Sequence, residues 1–198
     1  MAIAPNVADI VGVMESKGFA VFENPGGHDL NIVGIRTREN VANSFNDWAT
    51  VFYRFDGSWN FFAFPATTDP GTFYRSNPIN VKGTAIMKPG QYRGAYMIGK
   101  HKNYKALQQK GDITVFRDDN RDDRYDTTGL PEESGVFAIN IHHANAHRAS
   151  TVVGKWSAGC QVLQDPDQFA FLLMLCERAR SKFSNSFTYT LLTEDDFD

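Results

Sequence analysis

The chain has few cysteines, no long apolar run and no marked excess of either charge. Its 198 residues include two cysteines, Cys160 and Cys176, too few for the disulfide framework of a small secreted domain. No segment approaches the roughly 18 consecutive apolar residues of a membrane-spanning helix, so the sequence predicts no integral membrane segment. With 20 basic and 23 acidic residues the net charge is −3, which does not favour nucleic acid as a partner.

The first residues also lack the features of an export signal. Residues 1–6 contain no basic region, no apolar run and no cleavage pattern, so the sequence predicts synthesis in the cytoplasm without a signal peptide. The length and the 42% hydrophobic content are those of an ordinary globular domain, which can bury a core without a disulfide or a metal.

Two helices are predicted, one near each end of the chain. Asn6 is a candidate N-cap for a short helix whose apolar residues recur at helical spacing until Gly18. Asp165 and Pro166 provide an N-cap and a first-turn proline, and Gln168 completes a capping box ahead of a longer apolar stripe. Cys176 lies on that stripe and is predicted to be an inert core residue.

Between these helices, short segments rich in branched and aromatic residues predict a mainly β (α+β) fold. A first strand pair flanks Asn24-Pro25-Gly26-Gly27, and a second flanks Asp56-Gly57, a dipeptide typical of two-residue hairpin turns. From residue 65 to residue 99, frequent prolines and glycines predict strands with tight turns and no helix. The predicted strands are 19–22, 30–35, 50–55, 59–64, 112–116, 136–141 and 186–193.

Cys160 is the candidate nucleophile. It follows Gly159 in a polar loop between the predicted strand 136–141 and the last helix, where a sulfur has room to be exposed. A nucleophilic thiol needs a base and hydrogen-bond donors for the oxyanion that forms on attack. The backbone amides of Gly159 and Cys160 are candidate donors, and Gly159 removes a side chain where a substrate carbonyl must approach.

His142 is the candidate base. Period-two alternation places it on the smaller, more polar face of its strand together with Asn140, and the 18 residues to Cys160 allow the loop to fold back. A zinc site built from His142, His143, His147 and Cys160 is the alternative. Adjacent strand residues point to opposite faces, so His142 and His143 do not easily share an ion, and we predict no metal.

These elements resemble the L,D-transpeptidase catalytic domain (YkuD-like) family. That family has a histidine at a strand end followed, after about fifteen residues, by Ser-x-Gly-Cys, which is matched by His142 and Ser157-Ala158-Gly159-Cys160. An upstream Pro-x-Gly-x-Tyr element of the family resembles Lys88-Pro89-Gly90-Gln91-Tyr92. A strand and polar turn ahead of it are similar to Phe64-Pro65-Ala66-Thr67-Thr68. The order and spacing agree over about residues 48–193.

The resemblance implies a fold and a role for each motif residue. Residues 46–198 would form an L,D-transpeptidase-like β-sandwich, and residues 1–45 would add a helix and strand pair packed on it. Cys160 would be the nucleophile and His142 its base, oriented by the main-chain carbonyl of His143. Ser157 and Gly159 would shape the oxyanion region, and the site would lower the thiol pKa.

The implied reaction is attack of Cys160 on peptidoglycan stem peptides through a thioester, with no cofactor. Because no export signal is present, hydrolysis by an endolysin or virion lysin of phage origin is favoured over crosslinking. Tyr92, Arg93 and His101 belong to a basic, aromatic region that would either bind substrate carboxylates or form a solvated loop. Trp156 would either line the cleft or fill the core. A non-catalytic virion structural or wall-binding module on the same scaffold, or a zinc-dependent peptidase, remains the alternative.

Overall fold

The computed structural model describes residues 6–39, 43–122, 124 and 127–198. Its helices are α1 (Val7–Ser16), α2 (Thr72–Ser76), α3 (Pro166–Lys182) and a 3-10 turn (Glu194–Phe197). Its strands are β1 (Asn31–Arg36), β2 (Asp47–Phe55), β3 (Ser58–Thr67), β4 (Thr84–Met87), β5 (Gly90–His101), β6 (Tyr104–Gln109), β7 (Ile113–Asp118), β8 (Glu132–Gly135), β9 (Ile141–His143), β10 (Gln161–Leu163) and β11 (Phe187–Thr193).

Eight strands close into a barrel in the order β1-β11-β5-β6-β9-β10-β3-β2, and β4, β7 and β8 form a separate small sheet. The mainly β class is therefore confirmed, but the main sheet is a barrel and the expected sandwich is corrected. The barrel closes through two parallel pairs, β1 with β11 and β9 with β10. Parallel pairs join segments distant in sequence, and local alternation of residues does not reveal them.

The strongest local signals are confirmed. Asp56 (φ 50°) and Gly57 (φ 75°) form the two-residue turn between β2 and β3. The Asn6 side chain accepts the main-chain N–H of Asp9 at the start of α1. The predicted helix near the other end is α3, where Asp165 is the N-cap and a proline occupies the first turn. The predicted capping box does not form, because Oε1 of Gln168 has no hydrogen-bond partner among the described residues. Helix α2 was not expected, because the frequent prolines and glycines of residues 65–99 were interpreted as a sign of strands and tight turns without a helix.

The amino-terminal region is part of the barrel. Strand β1 pairs with both β2 and β11, which places residues 31–36 inside the main domain rather than in a unit packed on it. The predicted strand 19–22 does not form in the structure. Instead, the side chain of Asn31 accepts the N–H of Phe22 and donates to the Phe22 carbonyl, both at 2.9 Å. The Asn31 side chain thus makes the two hydrogen bonds to Phe22 that a neighbouring strand would otherwise make.

The principal core fills the barrel and the space beneath α3, which contributes Phe169, Leu172 and Cys176. A second cluster packs α1 against β1 and β2 through Ile10 and Met14. No helix among the described residues is both long and apolar enough to cross a membrane.

Candidate functional site

A cavity of about 650 Å³ opens between the barrel and the small sheet. Its lining includes Cys160 and Ala158 from the predicted motif, together with His101 and Trp156. Cys160 is buried, at 8% exposure, and packs against Val153 and Val162, but it is also among the residues that line this cavity.

The parallel pair β9–β10 brings the two halves of the motif together. Gln161 pairs with Ile141 in that ladder, which places Cys160 beside Asn140 at the end of the pair. The Sγ atom of Cys160 and one ring nitrogen each of His142 and His101 all lie within 4.8 Å of one another. The structure therefore brings the predicted nucleophile and the predicted base to one place.

The approach to β9 is irregular where one strand over 136–141 was predicted. Ala138 has φ 58°, which interrupts the extended chain between β8 and β9. The Gln109 side chain replaces the missing ladder partner by accepting the N–H groups of Phe137 and Ile139 at 3.0 and 2.9 Å. The kink directs the Ala138 carbonyl toward Cys160, whose thiol donates to it across 3.7 Å.

The hydrogen bonds of His142 define its tautomer. Its Nδ1 lies 2.7 Å from the carbonyl oxygen of His143, and a carbonyl only accepts, so Nδ1 carries the proton. The Tyr104 hydroxyl lies 3.1 Å from the same nitrogen. The Nε2 atom is then an acceptor, and it is buried without a hydrogen-bond partner among the residues that the structure describes. Nε2 is therefore the ring nitrogen whose lone pair no described residue engages.

Burial makes both members of the pair neutral at pH 7. It raises the pKa of the Cys160 thiol to about 11, and the expectation of a lowered thiol pKa is corrected. Burial, with a smaller contribution from the neighbouring His101, lowers the pKa of His142 to about 3. The resting site is therefore a thiol and a neutral imidazole, not a thiolate–imidazolium pair.

Ser157 and Gly159 shape the loop before the cysteine. The buried Ser157 hydroxyl donates to the Cys160 carbonyl at 2.8 Å and accepts the N–H of Gly159 at 3.1 Å. Gly159 has φ 122°, and a Cβ there would lie 2.6 Å from the Ala85 carbonyl oxygen. The glycine is thus required by strand β4 rather than by an approaching substrate, and its N–H is already used inside the loop.

Gln161 is a positioning residue that the sequence did not indicate. Its side chain is buried in the barrel, donates to the Gly159 carbonyl at 3.3 Å and accepts from the Tyr189 hydroxyl at 2.9 Å. Gly34 leaves the space for that hydroxyl, since a Cβ there would overlap it. The sequence does not indicate this role, because the Gln161 side chain points into the barrel only once strand β10 is paired with its neighbours in the folded protein.

The four predicted substrate-binding residues divide into two pairs. His101 and Trp156 line the cavity, and Trp156 is 40% exposed there. The Tyr92 hydroxyl donates to the Lys88 carbonyl at 2.5 Å, and Arg93 lies 5.4 Å from the ring of Phe22. Tyr92 and Arg93 are thus engaged elsewhere, and neither is among the residues of the cavity wall.

The walls of the cavity are positively charged. Of the described residues that line it, Lys102, Lys155 and Arg117 are cationic and none is acidic. Arg117 is paired with Glu133 at 2.7 Å, and Lys155 lies over the ring of Phe73 at 4.0 Å. Lys102 and Lys155 therefore give this wall of the cavity its excess of positive charge.

Of the zinc set expected as an alternative, only His142 and Cys160 come together, and His101 joins them as a third possible metal ligand. The cluster contains His101, His142 and Cys160, whereas the ring of His143 stacks on Tyr104 at 4.5 Å. His147 lies on an exposed turn. Comparison with known proteins adds no assignment, because no family model, curated protein or solved structure matches this chain.

Proposed function

We propose that this chain is a cysteine acyl-transfer enzyme that acts on the stem peptides of peptidoglycan through a thioester intermediate. The observation that carries the proposal is the meeting, at a cavity wall, of the Cys160 thiol and a His142 ring whose Nε2 has no partner among the described residues. A nucleophile beside a correctly protonated base is the arrangement that covalent catalysis requires.

The geometry supports a defined sequence of proton transfers. Rotation of the thiol from the Ala138 carbonyl toward Nε2 lets the proton move to His142 while Sγ bonds to the amide carbonyl carbon. The carbon–nitrogen bond breaks as His142 returns the proton to the leaving amine, and a thioester remains on Cys160. The acceptor then attacks the thioester and gives its proton to His142, and the carbon–sulfur bond breaks as His142 returns that proton to Sγ, which restores the thiol.

The choice of substrate rests on two features. The cavity combines cationic side chains with Trp156, which favours a peptide that carries free carboxylates. The motif formed by His142 and Ser157 to Cys160 resembles that of enzymes that act on peptidoglycan stem peptides. We propose water as the acceptor because water needs no second peptide site, which is the chemistry of an endolysin or a virion lysin acting on the cell wall.

The test is incubation of the protein with purified peptidoglycan, followed by mass analysis of the muropeptides. We expect cleaved stem peptides with the native protein and at least a 1,000-fold lower rate with Cys160→Ala, because the covalent step is lost. The matched control is Cys176→Ala, which removes the buried thiol of α3 and should retain activity.

Each outcome separates the candidates. New crosslinks without cleavage products would replace hydrolysis by transpeptidation. Full activity of Cys160→Ala would refute the mechanism. Binding to peptidoglycan without turnover by any form of the protein would favour the non-catalytic wall-binding module.

A further inference from the structure

His101 is held in the opposite tautomer to His142. The Asn140 side-chain oxygen accepts the main-chain N–H of Gln109 at 2.9 Å, which fixes the orientation of the amide. The amide nitrogen of Asn140 therefore faces His101 Nδ1 at 3.0 Å as a donor. A nitrogen that accepts a hydrogen bond carries no proton, so in the neutral ring the proton of His101 is on Nε2.

The two rings form a stacked pair at the cavity. Their centroids lie 4.1 Å apart with 10° between their planes. His142 is 1% exposed, whereas His101 is partly exposed and lines the open space. One ring thus has a free acceptor and the other a free donor, since the Nε2–H of His101 has no hydrogen-bond partner among the residues that the structure describes.

Attack by Cys160 creates a need for such a donor. The carbonyl oxygen of the substrate becomes negatively charged in the tetrahedral intermediate and must be stabilised by hydrogen bonds. The N–H of Gly159, one of the two donors expected from the sequence, is occupied by Ser157. A ring nitrogen of His101 lies within 4.8 Å of the cysteine sulfur, so this ring borders the place where the reacting carbonyl would sit.

We infer that His101 is a second catalytic histidine, whose Nε2–H donates a hydrogen bond to the oxyanion while His142 acts as the base. This inference rests on the proposed acyl transfer and assigns opposite tasks to two adjacent rings. Asn140 becomes a positioning residue, because it holds His101 in the tautomer that donates. The main-chain N–H of Cys160 is the second candidate donor.

The experiment compares two reactions of the same thiol. Acylation of Cys160 by a p-nitrophenyl ester forms an oxyanion, whereas alkylation by iodoacetamide forms none. His101→Phe keeps a ring against His142 and removes the donor, and His101→Gln restores an N–H near the position of Nε2. We expect His101→Phe to slow acylation about 100-fold, the scale for losing one oxyanion donor, and to change alkylation less than threefold. His101→Gln should recover at least one third of the acylation rate.

The outcomes distinguish this inference from the proposed function. Equal losses of acylation and alkylation in His101→Phe, or no recovery with His101→Gln, would overturn the donor role. In the native protein, alkylation of Cys160 without ester acylation would also overturn it, whereas absence of both reactions would remove the proposed function itself. Ester acylation that depends on His101, without peptidoglycan cleavage, would leave the donor role intact and change only the substrate.

A direct measurement needs no substrate. Long-range ¹H–¹⁵N correlation spectra of the imidazole rings report which nitrogen carries the proton. We expect an Nδ1–H tautomer for His142 and an Nε2–H tautomer for His101 at pH 7. The same tautomer in both rings would contradict the inference.

Discussion

Two buried polar clusters of the barrel differ in how completely their hydrogen bonds are satisfied. Both oxygens of Asp47 accept from Thr37 and Thr68, through four contacts between 2.7 and 3.2 Å. His142 is equally buried, at 1% exposure, yet its Nε2 has no partner in the described residues, and the nearby Cys160 thiol donates only a long bond. An unsatisfied buried group costs about 1–3 kcal/mol. The hydrogen bonds of the first cluster are satisfied within the barrel, whereas the second cluster carries a cost that the proposed catalysis would explain.

The largest expected effect is on the satisfied cluster. Asp47→Ala should lower the free energy of unfolding by about 3–5 kcal/mol, because it leaves buried donors of Thr37 and Thr68 without acceptors. Urea unfolding measures the loss. The exposed Asp119→Ala is the control and should change stability by less than about 0.5 kcal/mol. A loss below about 1 kcal/mol for Asp47→Ala would remove the contrast between the clusters.

His142→Phe tests the cluster whose hydrogen bonds are not satisfied. The substitution keeps an aromatic ring and removes the unsatisfied Nε2. The stability gained by removing that nitrogen offsets the loss of the hydrogen bond to the His143 carbonyl. We expect less than about 1 kcal/mol of change in the free energy of unfolding, with acylation slowed about 100-fold. Unfolding curves and ester acylation rates measured on one preparation check both values. A large loss of stability with retained acylation would reverse the assignment.

Ser157→Ala should have an intermediate effect. It leaves the Gly159 N–H and the Cys160 carbonyl without their shared partner, which costs about 1–2 kcal/mol of stability. Because the loop then loses its fixed shape, we also expect a lower acylation rate. Ser157→Thr keeps the hydroxyl and should recover both properties if the added methyl group is accommodated. Thermal unfolding of the three proteins gives the comparison, and an unchanged Ser157→Ala would contradict it.

The pH dependence of thiol reactivity is the finest test. The thiol pKa is raised to about 11, and the thiolate is the reactive form, so alkylation of Cys160 should become about tenfold faster per pH unit from pH 7 to pH 10. His142 is already neutral over this range and adds no second step. A rate that reaches its maximum below pH 8 would mean that the thiolate is stabilised in the resting site. Cys160→Ala supplies the background rate.

His142 should make the folded protein less stable as the pH falls. Its pKa is lowered from 6.5 to about 3 in the folded protein, so the unfolded chain takes up a proton first as the pH falls. The contribution of His142 to stability is complete above pH 6.5 and is lost as the pH falls toward 3. In His142→Phe the unfolding free energy should vary less over this range, as measured by urea unfolding at several pH values. An unchanged slope would show that His142 titrates normally.

The sequence was most informative where structure is local. The cap of α1, the start of α3 and the Asp56-Gly57 turn depend on neighbouring residues, and the structure contains all three. The closeness of His142 and Cys160 also followed from motif spacing. Barrel closure could not be predicted, because β1 and β11 are far apart in sequence. The kink at Ala138 escaped prediction because it depends on the side chain of Gln109.

The same contrast between local and long-range contacts applies to the residues of the site. His101 was expected only as a possible contact for substrate, since its relation to Asn140 and His142 exists only once β5, β6 and β9 are neighbours. Tyr92 and Arg93 were grouped with it because all three belong to one basic, aromatic region of the sequence. They lie nearer the start of the 12-residue strand β5, whereas His101 ends it.

The parallel contact between the first and the last strands has a consequence for how the chain folds. Strand β1 has one neighbour, β2, close behind it in sequence, while its other edge must wait for residues 187–193. During synthesis that edge stays open until residues 187–193 have been made, and contacts of such long range make folding slow. The ring of strands that carries the thiol and both imidazoles is therefore completed last. In a chain whose residues 187–193 have not yet been made, β1 keeps one unpaired edge and the barrel stays open.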